Sequence, residues 1–578
     1  MIDVERILKE TYPNFKFGKD NKLVIKALKK LIHEDDLNNI IVKNQHLKGF
    51  SFLDKLLTHF KFNYQIDNDS YSNIPSEGRL VIIANHPIGT LDGLALIKLI
   101  RSVRTDVKII ANRVLSHMQP LESLFLPVDV LSGQKQFKQT YELITQALEN
   151  EEAVIIFPAG EVSRITPKGV QDGDWQTGFI KIAKKTQSPI LPIHIKAKNS
   201  ALFYSLSTIY KPLGTMMLVG EMFNKKNQTI KFQVGAPIPF SEIANATESN
   251  KQLSKRFRKH VLNLGKKHKT PLFNTLAAVA HPSNAREVKK VLHQSRLLGE
   301  TRDGKKIFFY QFQDDCPVMR EIARLREFTF RTVEEGTGFA LDMDKFDLYY
   351  SHIVLWDDHD LEIVGAYRVG EGPKIMAMYG IEGFYTHTLF DLHGEFSTYL
   401  SNSIELGRSF VQPRYWGQHS LDYLWYGIGA YLREQPDIKY LFGPVSISNA
   451  YPQPAKELII SFYKQQFGSN LLTAKARMPF VISEQCQQFA TSEFNDDYST
   501  SFKILNSELK KLGVKVPTLY KQYVELCVDK GCHFIDFNID PDFNNCIDSL
   551  IMVEIAKIAP KKRQRYIEAH AAPHTTVN

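Results

Sequence analysis

The chain has 578 residues, more than one ordinary hydrophobic core accommodates, so we expect at least two domains. Its 43% hydrophobic and 23% charged residues are typical of a globular protein and exclude a disordered or collagen-like chain. The formal net charge of +9 leaves nucleic acid, anionic lipid and acidic carrier proteins as partners to consider.

Localisation signals point to the cytoplasm. The five cysteines contain no CxxC pair, which argues against a disulfide framework or a zinc site and fits a reducing compartment. No stretch approaches the roughly 18 apolar residues of a membrane-spanning helix. The beginning of the chain, MIDVERILKE, has no apolar signal region. We therefore expect a cytoplasmic protein without a tightly bound metal.

Apolar residues recur at helical spacing in two stretches near the start, Val24–Ile32 and Leu47–Phe60. Lysines lie between and opposite them. Two interpretations remain open for these amphipathic helices. They pack against the domain that follows, or they present a basic surface to anionic lipid headgroups.

From residue 80 onward, short apolar strands alternate with amphipathic helices, which favours an α/β domain with a largely parallel sheet. A second alternation begins near residue 307 and predicts another α/β domain. Between them, prolines and glycines indicate a linker. The predicted division is helices over 1–62, a first domain over 63–268, a linker over 269–306, a second domain over 307–565, and a tail over 566–578.

His86 follows the apolar strand LVIIA, and Asp92 comes where a helix begins. A carboxylate beside a histidine fixes its tautomer and stabilises the imidazolium that forms when the ring takes a proton. Such a pair can activate an acceptor hydroxyl as a general base. Alone, a His-x5-Asp spacing is more often structural than catalytic.

Two downstream blocks strengthen the catalytic interpretation. FPAGEVSR at 157–164 places Gly160, Glu161 and Arg164 in a turn after a strand, and PILPIHI follows at 189–195. Together with Asn85 and His86, these blocks resemble the glycerolphosphate and lysophospholipid acyltransferase superfamily. NHPIGTLDG and DWQTGFIKIA are similar to its hemolysin-related branch, which includes ornithine lipid O-acyltransferases. The resemblance implies a substrate-binding role for Asn85, Gly160, Glu161 and Arg164.

This chain departs from the superfamily pattern at two places. The usual spacing is His-x4-Asp, so the role of Asp92 requires a turn that absorbs one extra residue. The usual FPEGTRS block has Glu where this chain has Ala159. Because that block binds the phosphate end of the acceptor in phospholipid-acylating members, the change argues against a glycerolphosphate acceptor.

The second domain carries LDMDKFD, GAYRV and IELGRSFV, which resemble the acyl-homoserine lactone synthases and ornithine N-acyltransferases. These enzymes have a GNAT-like fold, in which an amine attacks an acyl thioester. The resemblance implies catalytic roles for Glu405 and Arg408 and substrate-binding roles for Asp344, Asp347 and Arg368. Glu405 and Arg408 have opposite parity on a strand, so they face opposite ways unless a bulge intervenes.

RYWGQHS at 414–420 leads into a helix at the position of the GNAT phosphate-binding loop, with Arg414 and Gly417 as candidate ligands. An ordinary turn and helix cap is the simpler interpretation. The altered loop suits the single phosphate of the phosphopantetheine arm on acyl carrier protein. Clustered Arg320, Arg324 and Arg326 form either a solvated face or a steering surface for that acidic carrier.

Together the two halves resemble the bifunctional ornithine lipid synthases. The resemblance implies N-acylation of an amino acid, with ornithine favoured, followed by O-acylation of the 3-hydroxyl of the lyso-aminolipid at an anionic membrane surface on the cytoplasmic face of a bacterium. A lysophosphatidate acyltransferase with an accessory N-acyltransferase domain is the alternative. A nucleic-acid-binding role has only the basic charge in its favour, and no motif supports it.

Overall fold

The computed structural model describes residues 33–112, 118–128, 133–166, 169–200, 203–204, 221–266, 270–314, 316–469 and 473–568, with residues 3, 5, 26, 29 and 30. The apolar residues of the predicted Val24–Ile32 stretch lie outside these ranges. The chain divides into two compact units, Met1–His281 and Pro282–Asn578.

The first unit is built on a seven-stranded sheet. Its strands are β1 (Asn63–Gln65), β2 (Leu80–Ala84), β3 (Val107–Asn112), β4 (Phe125–Val128), β5 (Ala153–Ile156), β8 (Ile190–Lys196) and β9 (Thr229–Val234), and β6 (Arg164–Thr166) forms a separate antiparallel pair with β7 (Gly169–Gln171). The strand order is β1-β9-β8-β2-β5-β3-β4. The pairings are parallel except for the antiparallel pair β8–β9, which agrees with the predicted α/β class.

Helices cover both faces of this sheet, as the central strands require. Every residue of β2 and β5 up to Ile155 is essentially inaccessible, because side chains on both faces are packed. The helices are α1 (Glu34–Lys43), α2 (Gly49–His59), α3 (Asn68–Ser72), α4 (Thr90–Arg101), α5 (Gly133–Glu149), α6 (Gly178–Thr186), α7 (Phe240–Ala244) and α8 (Asn250–Leu264).

The apolar face of α2 is occupied by protein. Phe52, Leu53, Leu56 and Leu57 are at most 1% exposed and belong to the same core as the strand residue Ile82. The packing interpretation is therefore confirmed for this helix, and its apolar face is not available to lipid.

The second unit contains an eight-stranded sheet. Its strands are β10 (Arg296–Glu300), β11 (Lys306–Gln311), β12 (Ser351–Asp357), β13 (Glu362–Glu371), β15 (Ser403–Val411), β16 (Tyr440–Ile447), β18 (Cys532–Asp540) and β19 (Cys546–Glu554), with a small pair β14 (Phe390–Asp391) and β17 (Lys475–Ala476) elsewhere. The strand order is β10-β11-β12-β13-β15-β16-β19-β18. Neighbouring strands are antiparallel except for the parallel pair β15–β16.

The parallel pair in the middle of this sheet is short. Only Ser403–Glu405 pairs with Tyr440–Phe442. Beyond these residues β15 stays with β13 as far as Val411, and β16 stays with β19 as far as Ile447. The two strands therefore separate, and a gap opens in the sheet between their carboxyl-terminal halves.

Helices flank the second sheet. They are α9 (Ala285–Leu292), α10 (Pro317–Thr332), α11 (Gly372–Tyr379), α12 (Ser397–Leu400), α13 (Ser420–Arg433), α14 (Gln453–Phe467), α15 (Glu484–Glu493), α16 (Tyr498–Lys511), α17 (Thr518–Leu526) and α18 (Pro560–Arg563). No described helix of either unit is both long and apolar enough to cross a membrane.

The predicted linker over 269–306 is shorter in the structure, because residues from Pro282 onward belong to the second unit. Gly299 and Gly304 contributed to the linker prediction, but both lie in the antiparallel hairpin of β10 and β11. Gly299 lies at an irregularity in the register of β10 with β11, and Gly304 has φ +83° in the connecting turn. Glycine is favoured in both settings.

Leu56→Ala is expected to destabilise the first unit by about 2–5 kcal/mol, because it leaves a cavity beneath a fully buried helix face. Urea unfolding followed by tryptophan fluorescence measures the loss. The matched control is Lys55→Ala, which removes an exposed side chain from the same turn. Equal unfolding midpoints for the two variants would contradict the packing of this face.

Candidate active sites

The sequence motifs of the first unit meet at one edge of its sheet. His86 follows the end of β2, and the FPAGEVS block follows the end of β5. These strands are adjacent and parallel, with Ile83 opposite Ile156, so both loops leave the sheet at its carboxyl edge. The ring of His86 stacks on Phe157 with 4.0 Å between ring centroids. Carboxyl ends of parallel strands are where such sheets bind ligands.

The extra residue between His86 and Asp92 is absorbed by a turn. Gly89 has φ +94°, a conformation that glycine adopts without strain. Oδ2 of Asp92 accepts hydrogen bonds from the amides of Ile88 at 2.9 Å and Gly89 at 3.2 Å. Its other oxygen, Oδ1, lies 2.9 Å from Nδ1 of His86. The two side chains therefore meet despite the longer spacing, although the contact is not an aligned hydrogen bond.

Burial disfavours the charged form of His86, but the carboxylates of Asp92 and Asp172 outweigh that effect and raise the pKa of the imidazole above its ordinary value. The His86 side chain is 19% exposed, whereas that of Asp92 is inaccessible. Nδ1 faces the carboxylate, so Nε2 is the nitrogen left to take a proton. This is the arrangement that a general base requires.

Asp172 is a residue of this site that the sequence motifs did not single out. Its Oδ1 accepts from the amide of His86 at 3.2 Å and from the hydroxyl of Ser163 at 2.5 Å, and its Oδ2 accepts from the indole of Trp175 at 3.0 Å. The amide of Ser163 also donates to the carbonyl of His86 at 2.8 Å. Asp172 thus connects the histidine loop to the FPAGEVS loop. The one sequence feature that could have identified Asp172 is its position two residues before the DWQTGFIKIA motif.

Asn85 has a structural role in this geometry. Its carboxamide donates to the carbonyl of Ile195 at 2.9 Å and accepts from the Ile195 amide at 2.7 Å. The residue is only 6% exposed. Asn85 fixes the end of β2 to β8, so its side chain is already bonded at both ends and a substrate-binding role does not follow.

The FPAGEVS loop also carries a cation, Arg164. Gly160 turns the chain with φ +67°. Arg164 lies 3.6 Å from Glu161 and its guanidinium lies over the ring of Phe203, 5.7 Å from the centroid. Nε and Nη1 of Arg164 are buried without a hydrogen-bond partner among the described residues. A buried guanidinium in that condition favours an anionic ligand.

In the second unit, a bulge decides how Glu405 and Arg408 are oriented. The pairing of β15 with β13 shifts between Ala366 and Arg368, and Arg408 has φ +47°. Oε1 of Glu405 accepts from the amide and hydroxyl of Thr386, and the guanidinium of Arg408 donates to the adjacent Tyr385 hydroxyl at 2.9 Å. The bulge that the parity argument required is present.

Both carboxylate oxygens of Glu405 accept hydrogen bonds from the protein. Oε1 lies 2.7 Å from the Thr386 amide and 2.6 Å from its hydroxyl, and Oε2 accepts from the hydroxyl of Tyr350. Glu405 is 2% exposed, and burial raises its pKa. The residue therefore fixes the 384–388 segment against β15.

Asp344, Asp347 and Arg368 form a buried network of charges. Arg368 lies 2.7 Å from Asp344 and 3.3 Å from Asp347. Asp347 also accepts two hydrogen bonds from Arg326, at 2.9 and 2.7 Å. Both arginines hold the pKa of Asp347 well below its ordinary value despite burial. Asp344 keeps 24% exposure and also faces Arg408 at 3.4 Å, so it is the member nearest to solvent.

The clustered arginines of α10 do not form one basic surface. Arg326 is 1% exposed in the network above, and Arg324 is 5% exposed and bonded to Glu321. Only Arg320 of the three is exposed. The prediction that all three arginines form a steering surface is therefore wrong, because Arg324 and Arg326 form internal ion pairs with carboxylates.

The RYWGQHS turn is separate from this network. Arg414 contacts Asp360 at 2.9 Å and also Glu362, at the turn between β12 and β13. Gly417 has φ +76° before α13 begins at Ser420. A Cβ atom at Gly417 would meet no heavy atom of the described residues within 4 Å, so the turn is open above the amino end of the helix.

Comparison with known proteins matches each unit to a family. Residues 6–268 match the acyltransferase family, and residues 325–426 match the acetyltransferase (GNAT) domain. A glycine N(alpha)-acyltransferase of Phocaeicola vulgatus is 30% identical over 291 residues, which cover 48% of this chain and 89% of that protein.

Two further relatives have names that describe related acyl transfers. A lyso-glycine lipid O-acyltransferase of Bacteroides thetaiotaomicron is 28% identical over 42% of this chain and 89% of its own length. An L-ornithine N(alpha)-acyltransferase of Brucella abortus is 31% identical over 24% of this chain and 47% of its own length.

Asp92→Asn is expected to lower the pKa of His86, because burial then acts with much less opposing negative charge. Titration of histidine ring signals by NMR measures it in full-length protein with ¹³C-labelled histidine, and His86→Gln identifies the signal. Asp69→Asn, which removes an exposed acid of the same unit, is the control. An unchanged titration in Asp92→Asn would show that the carboxylate does not govern the ring.

Proposed function

Because the chain belongs to the family of the glycine N(alpha)-acyltransferases and also carries an acyltransferase domain, we propose that it is a bifunctional aminolipid synthase. The GNAT unit joins a 3-hydroxyacyl group to the α-amine of an amino acid. The first unit then acylates the new hydroxyl. The observation that carries this proposal is the presence, in one chain, of an amine-acylating domain and a His86–Asp92 pair suited to hydroxyl activation.

In the O-acylation step, Nε2 of His86 removes the proton of the 3-hydroxyl as its oxygen attacks the thioester carbonyl. Asp92 stabilises the imidazolium that forms. The proton then passes to the departing thiolate. Arg164 holds the carboxylate of the lyso-aminolipid, which takes the place of a phosphate. The alternative acceptor, lysophosphatidate, is less suited to the altered FPAGEVS block, and competition between the two acceptors distinguishes them.

The acyl donor we propose is an acyl group on the phosphopantetheine arm of acyl carrier protein, with no tightly bound cofactor. The open turn at Gly417, before α13, is where we place the phosphate of that arm. Asp344 contacts both Arg368 and Arg408, and Asp347 contacts Arg368. We propose that these three residues position Arg408 for the substrate.

We propose ornithine as the amino acid, on the similarity of the second unit to ornithine N-acyltransferases. Glycine is the competing acceptor, since a relative that aligns with this chain over 291 residues is named a glycine N(alpha)-acyltransferase. Lipid mass spectrometry after expression in a host without aminolipids separates the two by headgroup mass. Absence of any new aminolipid in cells with ample acyl carrier protein would overturn the proposed function.

We place the enzyme at an anionic membrane surface on the cytoplasmic side. Lys251, Lys255 and Lys259 are exposed and four residues apart on α8, so they form one basic stripe. Such a stripe gains roughly 1 kcal/mol per lysine from anionic lipid.

His86→Gln is expected to stop the second acylation, with a loss of about 10²–10⁴-fold in diacyl product and accumulation of the lyso-aminolipid. The reason is that the variant lacks the ring nitrogen that receives the hydroxyl proton in the proposed step. Lipid mass spectrometry of expressing cells measures both species. His59→Gln, on the surface end of α2, is the control. Full diacyl lipid from His86→Gln would remove the base assignment.

Glu405→Ala and Arg408→Ala are expected to abolish the lyso-aminolipid itself, because the first loses the support of the 384–388 segment and the second loses a charged group of the site. Lyso product formation is measured with purified protein. Adding lyso-aminolipid should restore diacyl product in both variants, and Glu382→Ala, at an 81% exposed carboxylate, should behave as the parent. Normal N-acylation by both variants would show that neither residue belongs to the N-acylation site.

Replacing the lysines of the α8 stripe by glutamate (K251E/K255E/K259E) is expected to reduce binding to vesicles of phosphatidylglycerol at least tenfold, measured by co-sedimentation. The control K510E/K511E/K515E makes the same charge change on exposed lysines of the second unit. Equal losses in both variants would mean that net charge, and not this stripe, governs binding.

A further inference from the structure

A small cavity lies where β15 and β16 separate. It has a volume of about 100 Å³ and is bordered by Arg408 and Ser409 on one strand and by Pro444–Ser446 on the other. The volume is well below the roughly 300–1,000 Å³ of pockets for drug-sized ligands. It therefore suits a small polar group and not an acyl chain.

Three carboxyl groups border the cavity: Asp540 on β18, Asp548 on β19, and Glu335 in the segment after α10. Asp548 and Asp540 are 4% and 3% exposed, and the negative charge of Asp540 disfavours ionisation of Asp548. Asp548 also accepts from the hydroxyl of Ser446 at 2.6 Å. Burial and the neighbouring carboxyl group raise the pKa of Asp548 to about 7, and burial raises that of Glu335 to about 8.

Arg408 brings the opposite charge to the same cavity. Its side chain is 10% exposed, and its guanidinium lies between the rings of Tyr385 and Phe543, 4.5 and 4.0 Å from their centroids. Its Nε is buried without a hydrogen-bond partner among the described residues, although Asp342 lies 3.4 Å away. The cavity thus presents a fixed cation at one side and carboxyl groups at the other.

A free amino acid has this charge distribution in reverse. Its carboxylate pairs with a guanidinium, and its α-ammonium pairs with carboxylates. From this match we propose that the cavity is the amino-acid site, in which Arg408 binds the carboxylate and Asp548, supported by Asp540 and Glu335, binds the α-ammonium and removes its proton. The proposal rests on the proposed N-acylation and assigns the base to Asp548 in place of Glu405, whose oxygens are all bonded.

The proposed step balances as follows. Asp548 takes one proton from the ammonium, and the neutral amine attacks the thioester carbonyl. A carbon–nitrogen bond forms and the carbon–sulfur bond breaks. A second proton from the nitrogen goes to the departing thiolate, so the products are the amide and the free thiol, and the proton on Asp548 returns to water.

The pH dependence follows from the protonation of Asp548. The titratable and charged groups that face it are Asp540, Glu335, Arg408, Tyr385, Tyr520 and Cys546. The base acts only when it is deprotonated, so kcat/KM for the amino acid should rise with pH through about 7.

The experiment is steady-state N-acylation by the full-length protein, with the amino acid and a 3-hydroxyacyl pantetheine thioester as probes, between pH 5.5 and 9.5. Asp548→Asn preserves the shape of the side chain and should lower kcat/KM by about 10²-fold or more while removing the break near pH 7. The control is Asp496→Asn, an exposed acid outside the cavity, which should keep the parental profile.

Arg408→Lys and the methyl ester of the amino acid test the other end of the site. Removing the carboxylate charge should raise KM at least tenfold in the parent and have little further effect in Arg408→Lys, because the same contact is lost in both. Circular dichroism and thermal unfolding check each variant, and Glu335→Gln replaces Asp548→Asn if the latter does not fold. Glu335→Gln should weaken binding of the amino acid and shift the break in the pH profile of kcat/KM to lower pH.

The outcomes separate this inference from the proposed function. If the parent acylates no amino acid, the proposed function fails. If the parent is active and a folded Asp548→Asn keeps both its rate and its break near pH 7, the proposed function stands and the base assignment is overturned. If the methyl ester is as good an acceptor as the free amino acid, Arg408 does not bind the carboxylate.

Discussion

Both units depend on the same physical constraint, which is that a buried charge must be compensated. Asp92 is inaccessible to solvent, and its two oxygens are used by His86 and by two amides of the turn. Asp347 is equally inaccessible and is compensated by Arg326 and Arg368. These contacts fix the loops that carry the chemistry, so the geometry of each site is set before a substrate arrives.

The two sites meet this constraint in different ways. In the first unit a single carboxylate orients a single histidine, and Asp172 fixes the backbone of that histidine through its amide. This suits a proton transfer to a ring nitrogen that remains partly exposed. In the second unit the charges form a network that ends at Arg408, where the sheet opens. There the protein places a guanidinium and titratable carboxyl groups around one cavity, which suits a zwitterionic ligand.

The opening between β15 and β16 connects the fold of the second unit to its proposed chemistry. Three paired residues hold the strands together at Ser403–Glu405, and the bulge at Arg408 turns that side chain toward the gap. The separation removes backbone hydrogen bonds from the middle of a sheet. It also leaves room for the small cavity that Arg408 and Asp548 border.

The sequence by itself determined the local elements and the class of chemistry. The spacing of apolar residues predicted the bounds of β2, α4 and α13 to within a few residues. It does so because apolar residues recur where a strand or helix is buried on one face or on both. The Asn-His-Pro…Asp and FPAGEVS motifs identified the histidine loop, and the parity of Glu405 and Arg408 pointed to the bulge.

Tertiary structure decided what depends on contacts distant in the chain. Asn85 is bonded to Ile195, and Arg324 and Arg326 are internal. Glu405 is bonded to Thr386 and Tyr350, Asp172 is bonded to the histidine loop, and Asp548 borders the same cavity as Arg408. Spacing along the chain carries no signal for such contacts, since they arise only when separate strands and loops pack together.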